Sequence, residues 1–253
     1  MAVKAIVTGA SGGLGLEFAK LLARDGYDLV LVARSGDKLE SIAADLRERF
    51  GHSVATIVQD LGVADAAARI VERVPSCDIL IHNAGFANRG RFDEVEPAQI
   101  REELLLDIVT LTELTRAYLP GMRAAGAGRV MNVASTAGFL PGPFMAVYYA
   151  AKAYVISFSQ ALSEELRGSG VTVTCLCPGA TATGFAQRAG MEKTMLFRMP
   201  TAGANTVAKA GYDAMMSGKD LIVPGFQNKL TALSTRLAPR RMLLRVSRRL
   251  VET

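Results

Sequence analysis

The sequence predicts an α/β protein built on one parallel sheet, because short apolar segments alternate with longer segments of helical periodicity. The short segments are rich in Val, Ile and Leu and are apolar almost throughout, as expected of strands covered on both faces. We therefore expect a single-domain, seven-stranded parallel sheet with helices on both sides. The predicted strands are residues 3–8, 27–33, 53–59, 77–82, 129–135, 171–177 and 221–223.

Length and composition favour one globular domain. The 253 residues are 50% hydrophobic and 21% charged, which suits residues 1–225 as one domain followed by a helical extension at 226–253. No apolar run reaches the roughly 18 residues of a membrane span, and no secretory signal is recognised, so we expect a cytoplasmic protein. The three cysteines have no metal-ligand spacing, and no metal is expected. Cys175 and Cys177 are expected to lie reduced on alternate faces of a strand.

A glycine-rich turn follows the first predicted strand, in the sequence Thr8-Gly-Ala-Ser-Gly-Gly-Leu-Gly15. Gly9, Gly13 and Gly15 let the backbone turn tightly and approach a ligand without Cβ clashes. A phosphate placed there would face the free N–H groups of the helix that begins near Leu14. A plain strand–helix connection can look the same, but the position after the first strand of an alternating series favours a dinucleotide pyrophosphate.

The end of the second strand predicts which nicotinamide nucleotide binds. An acidic residue usually holds the ribose 2′-hydroxyl there, and Ala33 occupies that position. Arg34 follows, and its guanidinium suits a 2′-phosphate through charge-assisted hydrogen bonds, to which Ser35 can add one. We predict NADP(H) rather than NAD(H); the alternative is that Arg34 is a solvated residue at a strand end.

Two further strand ends lie where an open parallel sheet binds its ligands, beyond the carboxyl ends of the strands. Asp60 and Leu61 follow the third strand, and Asn83, Ala84 and Gly85 follow the fourth. We expect both groups to contact the adenosine half of the cofactor. Without that context, Asp60 suits a helix N-cap and Asn83-Ala-Gly85 suits a turn.

Three residues form a candidate catalytic group. Tyr148 and Lys152 are four residues apart in a predicted helix and therefore share one face. A nearby ammonium lowers the pKa of a phenol, which makes Tyr148 a candidate acid–base group. Ser135 ends the fifth strand, where its hydroxyl can donate to a substrate carbonyl oxygen. Each residue alone suits a purely structural role; together with the glycine turn they predict a nicotinamide-dependent carbonyl reductase or alcohol dehydrogenase.

These segments, with Pro178-Gly-Ala-Thr-Ala-Thr183, resemble the short-chain dehydrogenase/reductase family over nearly the whole chain and in the same order. The resemblance implies a Rossmann-type fold, a Tyr148 proton donor and a Lys152 that also holds the nicotinamide ribose. It implies a homodimer or homotetramer packed through helices beside the active site. The further cofactor contacts that it implies are Ser11, Leu14, Pro178, Gly179, Thr181 and Thr183.

One position departs from that family's pattern. Asp107 stands where the family normally has an asparagine that helps to hold a water in a proton relay to the lysine. An ionised carboxylate accepts hydrogen bonds but donates none. Its charge would stabilise Lys152 and oppose a phenolate at Tyr148. We therefore count Asp107 with the catalytic residues and expect catalysis to persist with an altered pH dependence.

The substrate side of the site is expected to be apolar. Residues 183–201 have the least regular pattern and follow a strand end, which favours a mobile lid. An apolar lining there favours a lipophilic carbonyl or alcohol, although Met and Phe are also ordinary core residues. The ending Asp220-Leu-Ile-Val-Pro-Gly225 differs from that of the family's 3-oxoacyl carrier-protein reductases and disfavours that reaction. The apolar residues are Phe139, Leu140, Pro141, Phe144, Met145, Phe185, Met191, Met195, Leu196, Phe197 and Met199.

Positive charge is concentrated in residues 226–253. The chain carries a net charge of +5, whereas this segment has seven Lys and Arg residues against Glu252 alone. Interleaved leucines and valines make it a basic amphipathic helix. Such a helix can pack on the body or on a second subunit, which we favour, or lie on an anionic membrane surface. Nucleic-acid binding is not predicted, because charge is the only feature that suggests it.

A second hypothesis, from a different class of protein, is an NADP(H)-binding sensor or scaffold that no longer turns over. Asp107 favours this hypothesis, and the complete Ser135, Tyr148 and Lys152 group opposes it.

Overall fold

The computed structural model describes residues 3–198 and 201–252, and within them the chain forms nine strands. Each strand from β1 to β6 is formed by an apolar segment that ends at a glycine, a polar residue or a turn, as the sequence predicts. The strands are β1 (Lys4–Thr8), β2 (Asp28–Ala33), β3 (Val54–Val58), β4 (Ile79–His82), β5 (Gly128–Val133), β6 (Val171–Leu176), β7 (Thr181–Ala182), β8 (Ala202–Gly203) and β9 (Leu221–Ile222).

Helices connect these strands. A continuous helical segment runs from Pro97 to Ala125 and contains one π-helical turn, Leu105–Thr110. A 3₁₀ turn, Thr136–Phe139, follows β5. The α-helices are α1 (Gly13–Arg24), α2 (Gly36–Phe50), α3 (Ala66–Arg73), α4 (Pro97–Leu104), α5 (Leu111–Ala125), α6 (Ala146–Glu165), α7 (Phe185–Arg188), α8 (Met195–Arg198), α9 (Ala204–Met216), α10 (Phe226–Leu237) and α11 (Arg240–Val251).

Seven strands form one parallel sheet in the order β3-β2-β1-β4-β5-β6-β9, which confirms the predicted fold class. β7 and β8 pair separately. Alternate side chains of each strand enter two hydrophobic cores: Val7 packs beneath α1, α2 and α9, while Ile6 packs beneath α3 and α5. The order reverses between β1 and β4, so their carboxyl ends open a crevice where ligands bind in such sheets.

The C-terminal extension is two helices rather than one. α10 ends at Leu237 and α11 starts at Arg240, because Pro239 lacks the N–H that a continuous helix would need. The proposed lid, 183–201, contains the one-turn helices α7 and α8, while Met199 and Pro200 lie outside the described residues. None of the described helices has the length and apolar character needed to cross a membrane.

The expectation for the β6 cysteines was wrong. Side chains two residues apart point to the same face of a strand, since the strand period is two. Cys175 and Cys177 accordingly lie side by side with their Sγ atoms 3.7 Å apart, both buried and both reduced. The contact with Cys175, together with burial, raises the pKa of the Cys177 thiol, so this thiol is an unreactive part of the core.

Candidate active site

The glycine turn between β1 and α1 is shaped by positions that cannot carry a side chain. Gly9 and Gly13 have positive φ angles of 66° and 55°. A Cβ on Gly9 would lie 2.8 Å from Ala84 Cα, and a Cβ on Gly15 would meet the Gly9 carbonyl oxygen. A Cβ on Gly12, by contrast, would meet nothing within 4 Å. The first turn of α1 is therefore open on one side, which fits a pyrophosphate bound by backbone N–H groups.

Asn83 holds this turn in place. Its side-chain Nδ2 donates to the Thr8 carbonyl at 3.0 Å and to the Gly9 carbonyl at 3.2 Å. The Thr8 hydroxyl in turn accepts from the backbone N–H groups of Asn83 and Ala84 at 3.0 and 3.1 Å. Asn83, which the sequence analysis assigned to cofactor binding, therefore links the end of β1 to the end of β4. Gly85 follows beside Lys152, where a Cβ would be 3.2 Å from Nζ.

Several further predicted cofactor residues lie in or next to the glycine turn, β7 and the start of α7. Thr183 lies against the glycine turn, since a Cβ on Gly13 would be 3.1 Å from its Cγ2. The Thr183 hydroxyl accepts from the backbone N–H of Phe185 at 3.3 Å, which fixes the start of α7. The Thr181 hydroxyl donates to the Gly179 carbonyl at 2.9 Å. Ser11 is partly exposed in the turn and Leu14 is buried at the start of α1.

Arg34 lies at the end of β2 among carboxylates. Its Nη1 is 3.2 Å from Glu102 Oε1 and 3.8 Å from Asp60 Oδ2, and nearly half of its side chain is exposed. Asp60 also accepts from the backbone N–H of Gly62 at 2.9 Å. Ser35 is the N-cap residue of α2. The guanidinium is therefore held at the carboxyl end of β2 while part of it faces solvent.

Sequence reasoning missed two neighbours of Arg34. Glu102 lies 68 residues further along the chain, and Arg188 Nη2 is 3.7 Å from the same carboxylate. The Arg188 guanidinium also lies 4.5 Å from the centre of the Phe86 ring. No local pattern marks either residue, because a charged residue on an amphipathic helix or in a loop is usually solvated.

Tyr148 and Lys152 lie on one face of α6, as predicted, and both are buried. Lys152 Nζ is 5.5 Å from the centre of the Tyr148 ring. It donates to the Val133 carbonyl at 3.3 Å and to Asp107 Oδ1 at 3.4 Å. The Lys152 ammonium has three N–H groups, and the described residues accept hydrogen bonds from two of them. The third N–H group can therefore bind a ligand hydroxyl.

Ser135 stands just beyond β5, which ends at Val133, and it caps the 3₁₀ turn that follows. Its hydroxyl accepts from the backbone N–H of Ala137 at 3.1 Å and lies 3.4 Å from the Pro178 carbonyl, to which it donates. These contacts fix Oγ near Tyr148, where burial raises the pKa of the phenol and the Ser135 hydroxyl opposes that rise. The three predicted catalytic residues are thus brought together.

Asp107 joins this group from the π-helical turn, a local irregularity that is frequent at functional sites. Its carboxylate is fully buried, and among the described residues Oδ2 has no hydrogen-bond partner. Burial raises the pKa of Asp107, and the Lys152 ammonium opposes that rise. For Tyr148, burial raises the pKa most, Asp107 raises it further and Ser135 lowers it. The Asp107 charge therefore opposes a phenolate at Tyr148.

Glu103 is a second buried carboxylate that sequence reasoning missed. Its Oε2 accepts from the backbone N–H and the side-chain Nδ2 of Asn88 at 3.2 and 2.8 Å, while Oε1 has no partner among the described residues. Burial raises the pKa of Glu103 to about 7, and the nearby Asp107 adds to the rise. The i, i+4 spacing of Glu103 and Asp107 was the only available signal.

Apolar side chains surround Tyr148. Phe185 lies 5.4 Å from it between ring centres, and Phe144, Met145 and Met191 belong to the same cluster. Phe144 adopts a φ of 66°, a strained conformation for a bulky residue. Of the other predicted lining residues, Leu140, Leu196 and Phe197 join the cluster, Phe139 packs in a different core, Met195 is exposed and Met199 lies outside the described residues.

Comparison with known proteins gives the same family for sequence and structure. The family model of short chain dehydrogenase matches residues 3–194. Very-long-chain 3-oxoacyl-CoA reductase of Rattus norvegicus is 33% identical over 189 residues, which cover 72% of this chain and 61% of that protein. This chain therefore spans less than two thirds of that relative. Ketoacyl reductase HetN of Nostoc sp. is 32% identical over 238 residues, covering 92% of this chain and 81% of HetN.

A solved structure extends the match to nearly the whole fold. The short-chain dehydrogenase from Sphingobium yanoikuyae in complex with NADPH superposes with a TM-score of 0.82. It is 31% identical in sequence, and the match covers 93% of each chain. The glycine turn, strands β1 to β6 and the buried Tyr148 and Lys152 all lie within the residues that the family model matches. This chain belongs to the short-chain dehydrogenase/reductase family of oxidoreductases.

Proposed function

We propose that this protein interconverts a lipophilic carbonyl compound and its alcohol, with NADP(H) as cofactor and Tyr148 as the acid–base group. The observation that carries the proposal is the buried group of Ser135, Tyr148 and Lys152 beside a turn that excludes side chains. The family supplies the reaction class, and the residues of this chain support the finer assignment.

The cofactor fits the crevice at both ends. The open first turn of α1 would hold the pyrophosphate, and the free donor of Lys152 would hold a ribose hydroxyl. Arg34 would bind a 2′-phosphate, since Ala33 leaves no carboxylate at the position that selects NAD. The related structure that contains NADPH supports this choice. When bound, the nicotinamide supplies or accepts the hydride of the reaction.

The protein's own residues manage the proton and the developing charge. In the reducing direction the carbonyl carbon gains a hydride, the C=O π bond opens onto oxygen, and that oxygen takes the proton of the Tyr148 hydroxyl. The Ser135 hydroxyl would rotate its one proton from the Pro178 carbonyl to the same oxygen and donate to it while negative charge grows there. The resulting phenolate lies beside the Lys152 ammonium, which stabilises it.

The substrate class follows from the lining of the site. Phe144, Phe185 and Met191 present apolar surface next to Tyr148, and the one charged group seen against them is the Arg248 guanidinium, 5.4 Å from the centre of the Phe144 ring among the described residues. Two relatives named as reductases of 3-oxoacyl or ketoacyl compounds support a substrate with an acyl chain. We propose a lipophilic ketone, with chain-bearing 3-oxo compounds as the first candidates to test.

One effect of Asp107 favours the alternative function, an NADP(H)-binding sensor without turnover. Its buried charge raises the pKa of Tyr148, which keeps the phenol protonated and hinders the formation of the phenolate. A protein that only senses NADP(H) would retain the crevice and lose turnover. The contacts of Lys152 with Val133 and Asp107 leave the catalytic group assembled, and for this reason we favour the enzyme.

The test measures the rate at which the protein oxidises NADPH or NADH in the presence of aliphatic ketones, 3-oxo thioesters and polar sugars. Tyr148→Phe is the matched control. The proposal predicts turnover with NADPH preferred to NADH, faster reaction with apolar ketones, and loss of turnover in Tyr148→Phe with cofactor binding retained. NADPH binding without reduction of any carbonyl would instead support the sensor. Faster reaction with sugars would refute the substrate class.

A further inference from the structure

Helix α10 carries an apolar stripe that the rest of the described chain leaves uncovered. Phe226, Leu230, Leu233 and Leu237 are spaced by four, three and four residues and therefore lie on one face of the helix. Phe226 is 81% exposed and Leu237 is 84% exposed, and the two residues between them are more than half exposed. Four large apolar side chains in one row differ from the scattered exposed apolar residues of an ordinary surface.

The opposite face of α10 already packs on the body of the protein. Asn228, Ala232 and Thr235 are partly buried, and Asn228 Nδ2 donates to the Pro224 carbonyl at 2.7 Å. Asn228 also fills the space beside Gly179, where a Cβ would collide with its side chain. The helix is thus docked through its polar side, so its apolar side faces outward.

Basic residues surround this stripe. Lys229 and Arg236 flank it on α10, and Arg241, Arg245 and Arg249 form a row on the outer face of α11. Within residues 3–198 and 201–252 none of these five cations has a carboxylate within 4 Å. The apolar stripe and these exposed cations lie on the consecutive helices α10 and α11, and we call the two together the C-terminal surface.

We propose that the C-terminal surface binds an anionic phospholipid bilayer, with the α10 stripe entering the headgroup and acyl boundary and the arginines contacting lipid phosphates. A second copy of the chain fits less well, because a twofold contact would place one positively charged surface against an identical one. An anionic bilayer supplies both the apolar layer and the opposite charge.

The C-terminal surface also adjoins the substrate side of the active site. The Ser247 hydroxyl of α11 donates to the Pro141 carbonyl at 2.7 Å, in the loop that follows Ser135. Val251 is buried in the cluster that contains Tyr148 and Met191. Bilayer binding would thus place the site next to a reservoir of lipophilic compounds. This consequence rests on the proposed function, whereas bilayer binding itself does not.

The test is sedimentation of the full chain with vesicles of phosphatidylcholine alone or mixed with phosphatidylglycerol. We expect binding to the anionic vesicles that weakens as salt is raised. Leu230→Gln with Leu233→Gln should weaken it by roughly tenfold or more, because each removes apolar surface from the lipid boundary. The matched control is Val58→Gln with Phe92→Gln, which replaces two exposed apolar residues elsewhere and should leave binding unchanged.

A second variant separates charge from apolar contact. Arg241→Gln, Arg245→Gln and Arg249→Gln together should abolish the preference for anionic vesicles. Failure of the wild type to bind anionic vesicles would overturn the proposal, as would equal binding by the stripe variant. A dimer that the stripe variant converts to a monomer, without vesicle binding, would assign the surface to a second copy. Vesicle binding by a protein that reduces no carbonyl would refute the proposed function alone.

Discussion

Replacing Asp107 with asparagine tests how the buried charge acts on the proton donor. The variant keeps a carbonyl oxygen that can accept from Lys152 and removes one negative charge from the site. Asp107 raises the pKa of Tyr148, so its neutralisation should lower that pKa. In carbonyl reduction the protonated phenol is the active form, and the rate falls as pH rises through its pKa. The variant should therefore lose activity at a lower pH than the wild type.

The size of the shift follows from two distances. Lys152 Nζ is 3.4 Å from Asp107 Oδ1 and 5.5 Å from the centre of the Tyr148 ring. The carboxylate oxygen is therefore at most about 9 Å from the ring centre and about 12 Å from the phenol oxygen, where two charges interact by about 1.4 kcal/mol at an effective dielectric constant of about 20. About 1.4 kcal/mol corresponds to one pKa unit, so we expect the descending limb to move down by at least roughly one pH unit.

The assay is the pH dependence of kcat/KM for ketone reduction, which reports ionisations of the free enzyme. Asp93→Asn is the control, because Asp93 is an exposed surface carboxylate paired with Arg91 and should leave the profile unchanged. In alcohol oxidation the ascending limb should move in the same direction. An unchanged profile in Asp107→Asn, or a shift to higher pH, would refute the reasoning.

Three further changes test the crevice and its buried carboxylates. Arg34→Ser should reduce the preference for NADPH over NADH by roughly 10- to 100-fold, the value of a charge-assisted hydrogen bond, in a comparison of kcat/KM. Because the pKa of buried Glu103 is raised to about 7, the wild type should lose stability, at most about 3 kcal/mol, as pH rises from 4.5 to 7. Glu103→Gln should remove this loss, as measured by urea unfolding at pH 5 and pH 8. Gly15→Ala should prevent nucleotide binding, because the added Cβ would collide with the Gly9 carbonyl oxygen. Calorimetric titration with the nucleotide measures the effect.

The fold could be predicted because its local signals agree with one another. Each long strand is an apolar run closed by a turn, and the i, i+4 spacing of Tyr148 and Lys152 fixes their common face before any tertiary contact is known. The glycine turn was recognisable from local sequence as well. Gly9 and Gly13 adopt positive φ angles, which glycine adopts readily, so the glycines themselves mark the turn.

The rest depended on contacts between distant parts of the chain. Glu102 reaches Arg34 across 68 residues, and a glutamate on an amphipathic helix gives no sign of whether it is solvated or buried. Glu103, its neighbour, is buried in a helical segment that packs against α6, a contact made by residues far apart in the sequence. The break between α10 and α11, by contrast, was visible at Pro239 and was overlooked.

The most direct measurement follows isotope from the cofactor into a product. Wild type and Tyr148→Phe would be incubated with a chain-bearing ketone and NADPH deuterated at the transferable position, and the alcohol would be examined by mass spectrometry. The account predicts one deuterium on the carbinol carbon with the wild type and no alcohol with Tyr148→Phe, although both bind NADPH. Equal product from the two proteins would contradict the role of Tyr148, and no product from the wild type with any ketone would contradict the proposed reaction.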